Sequence, residues 1–251
     1  MAITIKSERE IELMAEAGKI LERVHNELEK ALRPGMSTKD IDTLGEEIIR
    51  SYGCIPSFLN YNGYPASICV SVNQEVVHGI PDKHRIIQEG DIVSLDAGVI
   101  YKGYHSDAAR THAVGKVSEE AKKLIQVTKE SFFEGIKFAK EGNHLYDISR
   151  AIGDYAESFG YGVVRELCGH GIGTALHEAP EIPNYEMNRK GVLLKAGMTL
   201  AIEPMINAGR ADVEWLDDDW TVVTEDGSLA AHYENTILIT DGEPEILTLA
   251  E

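Results

Sequence analysis

Cysteine, basic residues and long apolar runs are scarce in this sequence. Its three cysteines form no CxxC pair, which argues against a disulfide framework or a cysteine-rich zinc site and favours a reducing compartment. No stretch approaches the ~18 consecutive apolar residues of a membrane span. The amino end also lacks the charged and apolar blocks of a signal peptide. We therefore expect a cytoplasmic protein without a membrane partner.

The charge is strongly one-sided, with 24 Lys and Arg against 42 Asp and Glu and a formal net charge of −18. Such a surface repels phosphate backbones and anionic lipids but attracts divalent cations and protonated amines. Direct binding of nucleic acid is therefore not expected. With 251 residues, of which 43% are hydrophobic, the chain can bury a full core and form one large domain or two small ones.

Two helices are predicted near the start of the chain. Apolar residues recur at steps of three and four from Ser7 onward, and the pattern ends at Arg33-Pro34-Gly35. A second helix is predicted from Ser37, where Asp40 completes a capping arrangement, to Tyr52-Gly53.

The same order of motifs recurs 107 positions later. The matched pairs are Arg33-Pro34-Gly35 with Lys140-Glu141-Gly142, Asp40-Ile41 with Asp147-Ile148, and Tyr52-Gly53 with Phe159-Gly160. The offset also places Asp96 and Glu203 at equivalent ends of equivalent apolar strands. We expect one domain over residues 1–251 with pseudo-repeats at approximately 7–110 and 118–240. The predicted fold is mixed α/β (α+β), with pseudo-two-fold symmetry and a mostly antiparallel sheet that helices cover on one face.

A β-hairpin is predicted around Lys102-Gly103, because two extended runs flank this turn. Asp96 and Asp107 lie nearly equidistant from the turn, so their carboxylates can sit opposite or diagonal on one face. A solvent-facing hairpin with incidental acids is the simpler alternative. It is weakened by the apolar neighbours of Asp96, among which an unpaired charge would be costly.

One histidine, His170, stands among glycines in Cys168-Gly169-His170-Gly171-Ile172-Gly173. Small neighbours would let a metal ion or substrate approach the imidazole closely. The glycines do not match the G-x-G-x-x-G dinucleotide motif, because Thr174 occupies the last position. His177 and Glu178 do not complete an H-E-x-x-H zinc motif, because Glu181 replaces the second histidine.

Two further acids are embedded in apolar strands. Glu203 ends one run just before Pro204, and Glu234 lies within another. A salt bridge at a strand edge is the commoner explanation for each acid alone. Together, four carboxylates and one imidazole suit Mn, Co(II) or Fe(II), with Zn and Mg left open. Four carboxylates also match the charge of two divalent ions, a pair that could generate a hydroxide nucleophile.

Taken together, these motifs resemble those of type I methionine aminopeptidases, which have the pita-bread fold. The family's ordered metal ligands Asp, Asp, His, Glu, Glu match Asp96, Asp107, His170, Glu203 and Glu234. Asn60–Cys69 and Val72–Pro81 resemble the stretches that form the methionine pocket and provide one catalytic histidine. The resemblance extends from about Ile5 to Leu249.

The resemblance implies a role for each matched residue. Asp96 would chelate one ion, Asp107 and Glu234 would bridge two ions, and His170 and Glu203 would complete the ligands of the second ion. Glu203 would also act as general base, with His78 near the scissile nitrogen and His177 at the substrate carbonyl. The residues implied in substrate binding are Tyr61, Tyr64, Cys69, His78, His177 and Trp220.

The implied activity is hydrolytic removal of the amino-terminal methionine from nascent proteins and peptides. The second residue would be small: Ala, Ser, Gly, Thr, Cys, Pro or Val. A monomer is the default expectation. Contact with the ribosome is the weakest of the expected partnerships, because the net charge of −18 does not suit contacts made by basic loops. Departures from the family pattern occur at Thr174, Leu176, His232 and Asn235; for the last two, Gln and His are frequent among relatives. None of the four is expected to be a metal ligand.

Three alternatives remain at this stage. A proline-specific peptidase of the prolidase or aminopeptidase P kind shares the five ligands but usually has an extra amino-terminal domain. A peptide-binding module without catalysis typically lacks ligands, whereas all five positions are filled here. A calcium-binding or merely acidic domain would leave His78, His170 and His177 unexplained.

Overall fold

A computed structural model describes residues 3–249, in which four α-helices and fifteen strands form the fold. The helices are α1 Glu8–Ala31, α2 Thr38–Ser51, α3 Glu119–Ile136 and α4 Leu145–Glu157. The first eight strands are β1 Ile55–Pro56, β2 Ile68–Val72, β3 Glu75–Val77, β4 Ile92–Tyr101, β5 Tyr104–Ala113, β6 Gly162–Val163, β7 Gly169–Gly171 and β8 Glu178–Ile182. The remaining strands are β9 Thr199–Ile202, β10 Met205–Asn207, β11 Val213–Trp215, β12 Val222–Thr224, β13 Ala230–His232, β14 Asn235–Leu238 and β15 Glu245–Ile246.

The first two predicted helices are confirmed as α1 and α2, and their ends follow from local sequence. At the start of α2 the backbone N–H of Asp40 donates to Ser37 Oγ, and the Asp40 carboxylate accepts the backbone N–H of Ser37. This reciprocal pair satisfies two of the amide groups that a helix leaves free at its first turn. The apolar face of α1 packs on β4 and β5, and that of α2 packs on β1 and β2. The buried cluster between helices and strands includes Leu21 and Leu95.

The predicted hairpin is formed by β4 and β5. Lys102 and Gly103 make the two-residue turn with φ values of 50° and 90°, the left-handed conformation that a type I′ turn requires. In the register Gly98 pairs with Asp107 and Asp96 pairs with Ala109. Asp96 and Asp107 are therefore diagonal neighbours on the same face of the hairpin.

Hydrogen bonding divides the strands into four sheets, and every pairing in residues 3–249 is antiparallel. The two larger sheets are built around β4 and around β9. They meet where the backbone N–H of Ala109 donates to Glu234 O at 3.3 Å and that of Glu234 donates to Ala109 O at 2.9 Å. This contact between the two halves involves the predicted ligand Glu234 itself and lies two residues from the predicted ligand Asp107.

The offset of 107 positions in the sequence has structural counterparts. Isolated bridges pair Ser37 with Ile86 and, at the same offset, His144 with Leu193. The helices α2 and α4 follow Ser37 and His144 directly, and the strands β4 and β9 begin at Ile92 and Thr199. These matches support the internal duplication, whereas the repeat limits 7–110 and 118–240 stay a prediction.

The second half has its own apolar core, in which α3 and α4 pack on β9 and β14 around the buried ring of Phe132. This packing excludes water from the helix-covered face of β9, which precedes Glu203, and of β14, which follows Glu234. None of the helices within residues 3–249 is both long and apolar enough to cross a membrane.

Candidate metal centre

All five predicted ligands line one cavity between the two halves of the fold. They come from five separate segments: Asp96 from β4, Asp107 from β5, His170 from β7, Glu203 directly after β9, and Glu234 between β13 and β14. The two halves of the duplication therefore both provide donor atoms, as expected for acids related by a pseudo-two-fold axis.

The side chains approach one another closely enough to share a cation. His170 Nε2 lies 3.6 Å from Glu203 Oε1 and 3.9 Å from Asp107 Oδ2. Asp107, His170 and Glu234 form a group whose potential ligand atoms all lie within 4.8 Å of one another. A second group with the same spacing contains Glu203, His232 and Glu234, so Glu234 belongs to both.

The orientation of His170 is fixed by its backbone surroundings. Its Nδ1 lies 2.9 Å from Gly171 O, so this nitrogen donates and Nε2 is left facing the carboxylates. The flanking glycines also have a packing role that the sequence did not reveal. A Cβ atom at Gly169 would lie 2.4 Å from Ala201 O, and one at Gly171 would lie 2.2 Å from Ala179 O. Both positions require glycine because β7 is packed tightly between its neighbours.

Burial dominates the electrostatics of the four carboxyl groups. It raises the pKa of Asp96 to about 7 and the pKa of Glu203 to about 8. For Asp107 and Glu234, burial and then the neighbouring acids raise the pKa well above the ordinary value. Mutual repulsion of this kind is relieved when a cation lies between the acids.

The buried donor atoms fit divalent cations. Asp96 Oδ1, Asp107 Oδ1 and Glu234 Oε1 are buried and have no hydrogen-bond partner within residues 3–249. Leaving such atoms unsatisfied costs on the order of 1–3 kcal/mol each. Carboxylate oxygens with imidazole nitrogen form a donor set that binds Mn, Fe(II), Co(II) or Zn. The residues present therefore fit the divalent ions that the sequence predicted.

The predicted outer histidines lie at the same cavity. His78 follows β3 with a φ of 59°, a strained conformation for a residue other than glycine. Its ring centroid is 6.3 Å from that of Trp220, which stacks edge-on to Tyr64 at 5.1 Å. His177 Nδ1 lies 2.7 Å from Tyr61 Oη. The structure thus brings all the predicted pocket residues into contact with the cavity: Tyr61, Tyr64, Cys69, His78, His177 and Trp220.

Comparison with known proteins is decisive for the family. The model of metallopeptidase family M24 matches residues 12–241. The chain belongs to this family. The methionine aminopeptidase of Clostridium acetobutylicum is 59% identical to it over 249 residues, which cover 99% of this chain and all of that protein. A crystal structure of methionine aminopeptidase from Thermotoga maritima has a TM-score of 0.97 and 47% identity, and covers 99% of this chain and 100% of its own.

Within family M24 the chain groups with the methionine aminopeptidases. The Xaa-Pro dipeptidase of Bacillus anthracis has the same fold, with a TM-score of 0.79, but only 28% identity. The match covers 98% of this chain and 62% of that longer one. Both the resemblance inferred from the sequence and the predicted fold class are thereby confirmed.

Several residues that line the cavity of this M24 protein were not predicted from its sequence. They are Phe58, Asn62, Val77, Leu167, Cys168, Leu176 and Met205. Cys168 and Met205 lie two residues from His170 and Glu203, so the alternation of strand side chains was a usable signal for them. His232 lies two residues before Glu234, so the same alternation could have indicated that the two side chains lie close together. The sequence did not predict that His232 belongs to a group of potential ligands with Glu203 and Glu234.

After a chelator has removed metal from this protein, we expect its melting temperature to fall as pH rises from about 7 to 8. A carboxyl group with a raised pKa in the folded state stabilises the fold fully below its unfolded pKa, and this contribution is lost as pH rises through the folded value. Asp96 and Glu203, with a pKa of about 7 and about 8, titrate in this range. Calorimetry at closely spaced pH values measures the effect.

The buried histidines do not reverse this expectation. Burial lowers the pKa of His78 and His232 to about 4 and that of His170 to about 3, so their effect on stability has the opposite sign. Above about pH 7 these side chains are largely neutral in both states. Protein loaded with Co(II) is the control, and its melting temperature should change less. A level or rising melting temperature without metal would contradict the raised pKa values of these buried carboxyl groups.

Proposed function

We propose that this chain is a dinuclear metal-dependent methionine aminopeptidase that acts on peptides and nascent proteins with a small second residue. Its membership of the M24 methionine aminopeptidases supports this activity. The observation that supports it most directly is a single cavity lined by four carboxylates and His170 on one side and by aromatic residues on the other. The proposed small second residues are Ala, Ser, Gly, Thr, Cys, Pro and Val.

Five side chains would hold the two ions: Asp96, Asp107, His170, Glu203 and Glu234. When bound, the ions would supply a hydroxide nucleophile near neutral pH and positive charge for a developing oxyanion. The mixture of hard oxygen donors and one imidazole favours Mn, Co(II) or Fe(II), with Zn and Mg as further candidates. Which ion is used in the cell depends on its availability as much as on these donors.

Glu203 is the proposed general base. It lies at the cavity with a side chain that is largely shielded from solvent, and burial raises its pKa to about 8. A raised pKa makes a carboxylate a better proton acceptor near neutral pH. In this role Glu203 takes the proton of the attacking water and later passes it to the leaving amine.

Two histidines are proposed to act on the scissile amide. His78 would contact the amide nitrogen, and His177 would donate to the carbonyl oxygen as negative charge develops there. Burial lowers the pKa of both side chains, so both are neutral near pH 7. Tyr61 Oη lies 2.7 Å from Nδ1 of His177. In the proposed arrangement the phenol donates to this nitrogen, so the other ring nitrogen keeps its proton and can donate to substrate.

The proposed methionine pocket is formed by Tyr61, Tyr64, Cys69 and Trp220. Tyr64 is held in place because its hydroxyl donates to Gly79 O at 2.9 Å. Cys69 pairs with Asp96 across β2 and β4, so the thiol and the carboxylate lie on the same face of the sheet. Apolar and aromatic walls of this kind suit an unbranched thioether.

Methionine release from Met-Ala-Ser and Met-Leu-Ser tests the proposal. Protein stripped with chelator should be inactive, and added Mn(II) or Co(II) should restore cleavage of the first peptide far above the second. Cleavage of an Xaa-Pro peptide in preference to both would replace the proposal with a proline peptidase. Absence of any cleavage while metal is demonstrably bound would leave a peptide-binding module.

Replacing Tyr61 with Phe should lower kcat by about fivefold with little change in KM. The substitution keeps the aromatic wall but removes the hydroxyl that contacts His177 Nδ1, and one hydrogen bond of this kind contributes about 1 kcal/mol. Steady-state kinetics on Met-Ala-Ser measures both constants.

Tyr61→Leu is the matched comparison, because it removes the wall as well as the hydroxyl and should raise KM in addition. Tyr52→Phe is the control, since its hydroxyl contacts Glu27 on the surface at 3.1 Å. An unchanged kcat in Tyr61→Phe would contradict the proposed orientation of His177.

We also propose that residues 1–251 act as one catalytic domain and as a cytoplasmic monomer. Residues 1, 2, 250 and 251 lie outside the described part of the chain. Light scattering after gel filtration checks the monomer. The net charge of −18 disfavours docking on ribosomal RNA, so nascent chains would be met without strong electrostatic attraction to the ribosome.

A further inference from the structure

His232 is a buried imidazole with no hydrogen-bond partner. It ends β13 and is 1% exposed. Both of its ring nitrogens lack a partner among the described residues. A buried polar side chain in this state is costly, so an unexplained one next to a candidate metal centre points to a missing ligand.

The surroundings of His232 resemble those of His170. Glu203 Oε1 lies 3.6 Å from His170 Nε2, and Glu203 Oε2 lies 3.6 Å from His232 Nε2. These separations are too long for hydrogen bonds. They suit two donors that share a cation, since ligand bonds of ~2.1 Å at an angle of ~120° place two donor atoms ~3.6 Å apart.

His232 also belongs to a complete ligand group. One ring nitrogen of His232, one carboxylate oxygen of Glu203 and one of Glu234 all lie within 4.8 Å of one another. Glu234 connects this group to the one formed with Asp107 and His170. Each histidine is therefore the nitrogen donor of one of two groups that meet at a shared carboxylate.

We propose that His232 is a sixth protein ligand of the metal centre, so that this chain holds its two ions with two imidazoles. The inference deepens the proposed function, on which it rests, and concerns the position where Gln is frequent in the family that the sequence resembles. An imidazole in place of an amide supplies a nitrogen donor and shifts selectivity towards Co(II), Fe(II) and Zn over Mn and Mg.

X-ray absorption of protein loaded with two equivalents of Co(II) tests the proposal. The wild-type spectrum should show outer-shell scattering from one imidazole for each cobalt ion. His232→Gln should reduce this to one imidazole for every two ions and weaken the binding of one ion about tenfold or more in calorimetry. Selectivity for Co(II) over Mn(II) should fall in the same variant.

His112→Gln is the matched control, because His112 is also largely buried and has an unpartnered Nε2. It should leave the imidazole count and both affinities as in the wild type. His232→Asn provides a second variant in case the glutamine protein does not fold. A wild-type count of one imidazole for every two cobalt ions would overturn the proposal and leave His232 as a residue that only orients Glu203. Methionine release is measured separately, so loss of the proposed activity would be distinguished from an incorrect ligand assignment.

Discussion

Replacing Glu203 with Gln is expected to lower kcat for methionine release by about 10²–10⁴-fold, the usual contribution of a general acid or base. Glutamine keeps an oxygen donor at the same distance from the backbone but cannot accept the proton of the attacking water. The affinity for the ions should fall by a much smaller factor than kcat, because the other proposed ligands Asp96, Asp107, His170 and Glu234 are unchanged. Single-turnover kinetics and metal analysis on the same sample separate the two effects.

Glu119→Gln is the control for this substitution, since it makes the same chemical change at a side chain that is 90% exposed on α3. Its kcat should equal that of the wild type. If Glu203→Gln keeps near-wild-type turnover with both ions bound, Glu203 is not the general base. If it loses both ions along with activity, its main role is that of a ligand.

Four of the five predicted ligands could be singled out because each is an acid within or directly beside an apolar run, whereas His170 stood out by its glycine neighbours. The diagonal arrangement of Asp96 and Asp107 follows from the two-residue turn, which fixes the register of β4 and β5. The offset of 107 positions then relates Asp96 to Glu203 without reference to any other protein.

Other features depend on packing between distant segments and are not encoded in local patterns. The backbone contact between Ala109 and Glu234 joins segments that are 125 positions apart, so no local pattern predicts it. The need for glycine at positions 169 and 171 arises from the carbonyl groups of neighbouring strands, which local sequence does not reveal. His232 was visible in the sequence, but only its distance from Glu203 shows that it belongs with the ligands.

The crowded acids connect stability with function. In the absence of metal, four buried carboxyl groups with raised pKa oppose folding above about pH 7. The same groups are proposed to bind cations, because a cation between ionised carboxylates would relieve their mutual repulsion. If these residues form a functional site at the expense of stability, neutralising one of them should stabilise the metal-free protein and weaken metal binding.

Replacing Asp107 with Asn is therefore expected to have opposite effects on the metal-free and metal-loaded protein. Without metal at pH 8, the variant should melt at least about 2–4 °C higher, because about 1 kcal/mol of relieved repulsion has this effect in a domain of this size. Its affinity for the ions should fall about 100-fold or more, since the loss of an outer hydrogen-bond partner alone costs 10–100-fold. Methionine release should fall close to that of metal-free protein.

Asp154→Asn is the control, because it neutralises an exposed carboxylate on α4 outside the site. It should change neither the melting temperature by more than about 1 °C nor the affinity for metal. Scanning calorimetry with and without Co(II) gives both quantities for each variant. A lower melting temperature for metal-free Asp107→Asn would show that Asp107 stabilises the fold by itself, and the opposition between stability and metal binding would then not apply at this residue.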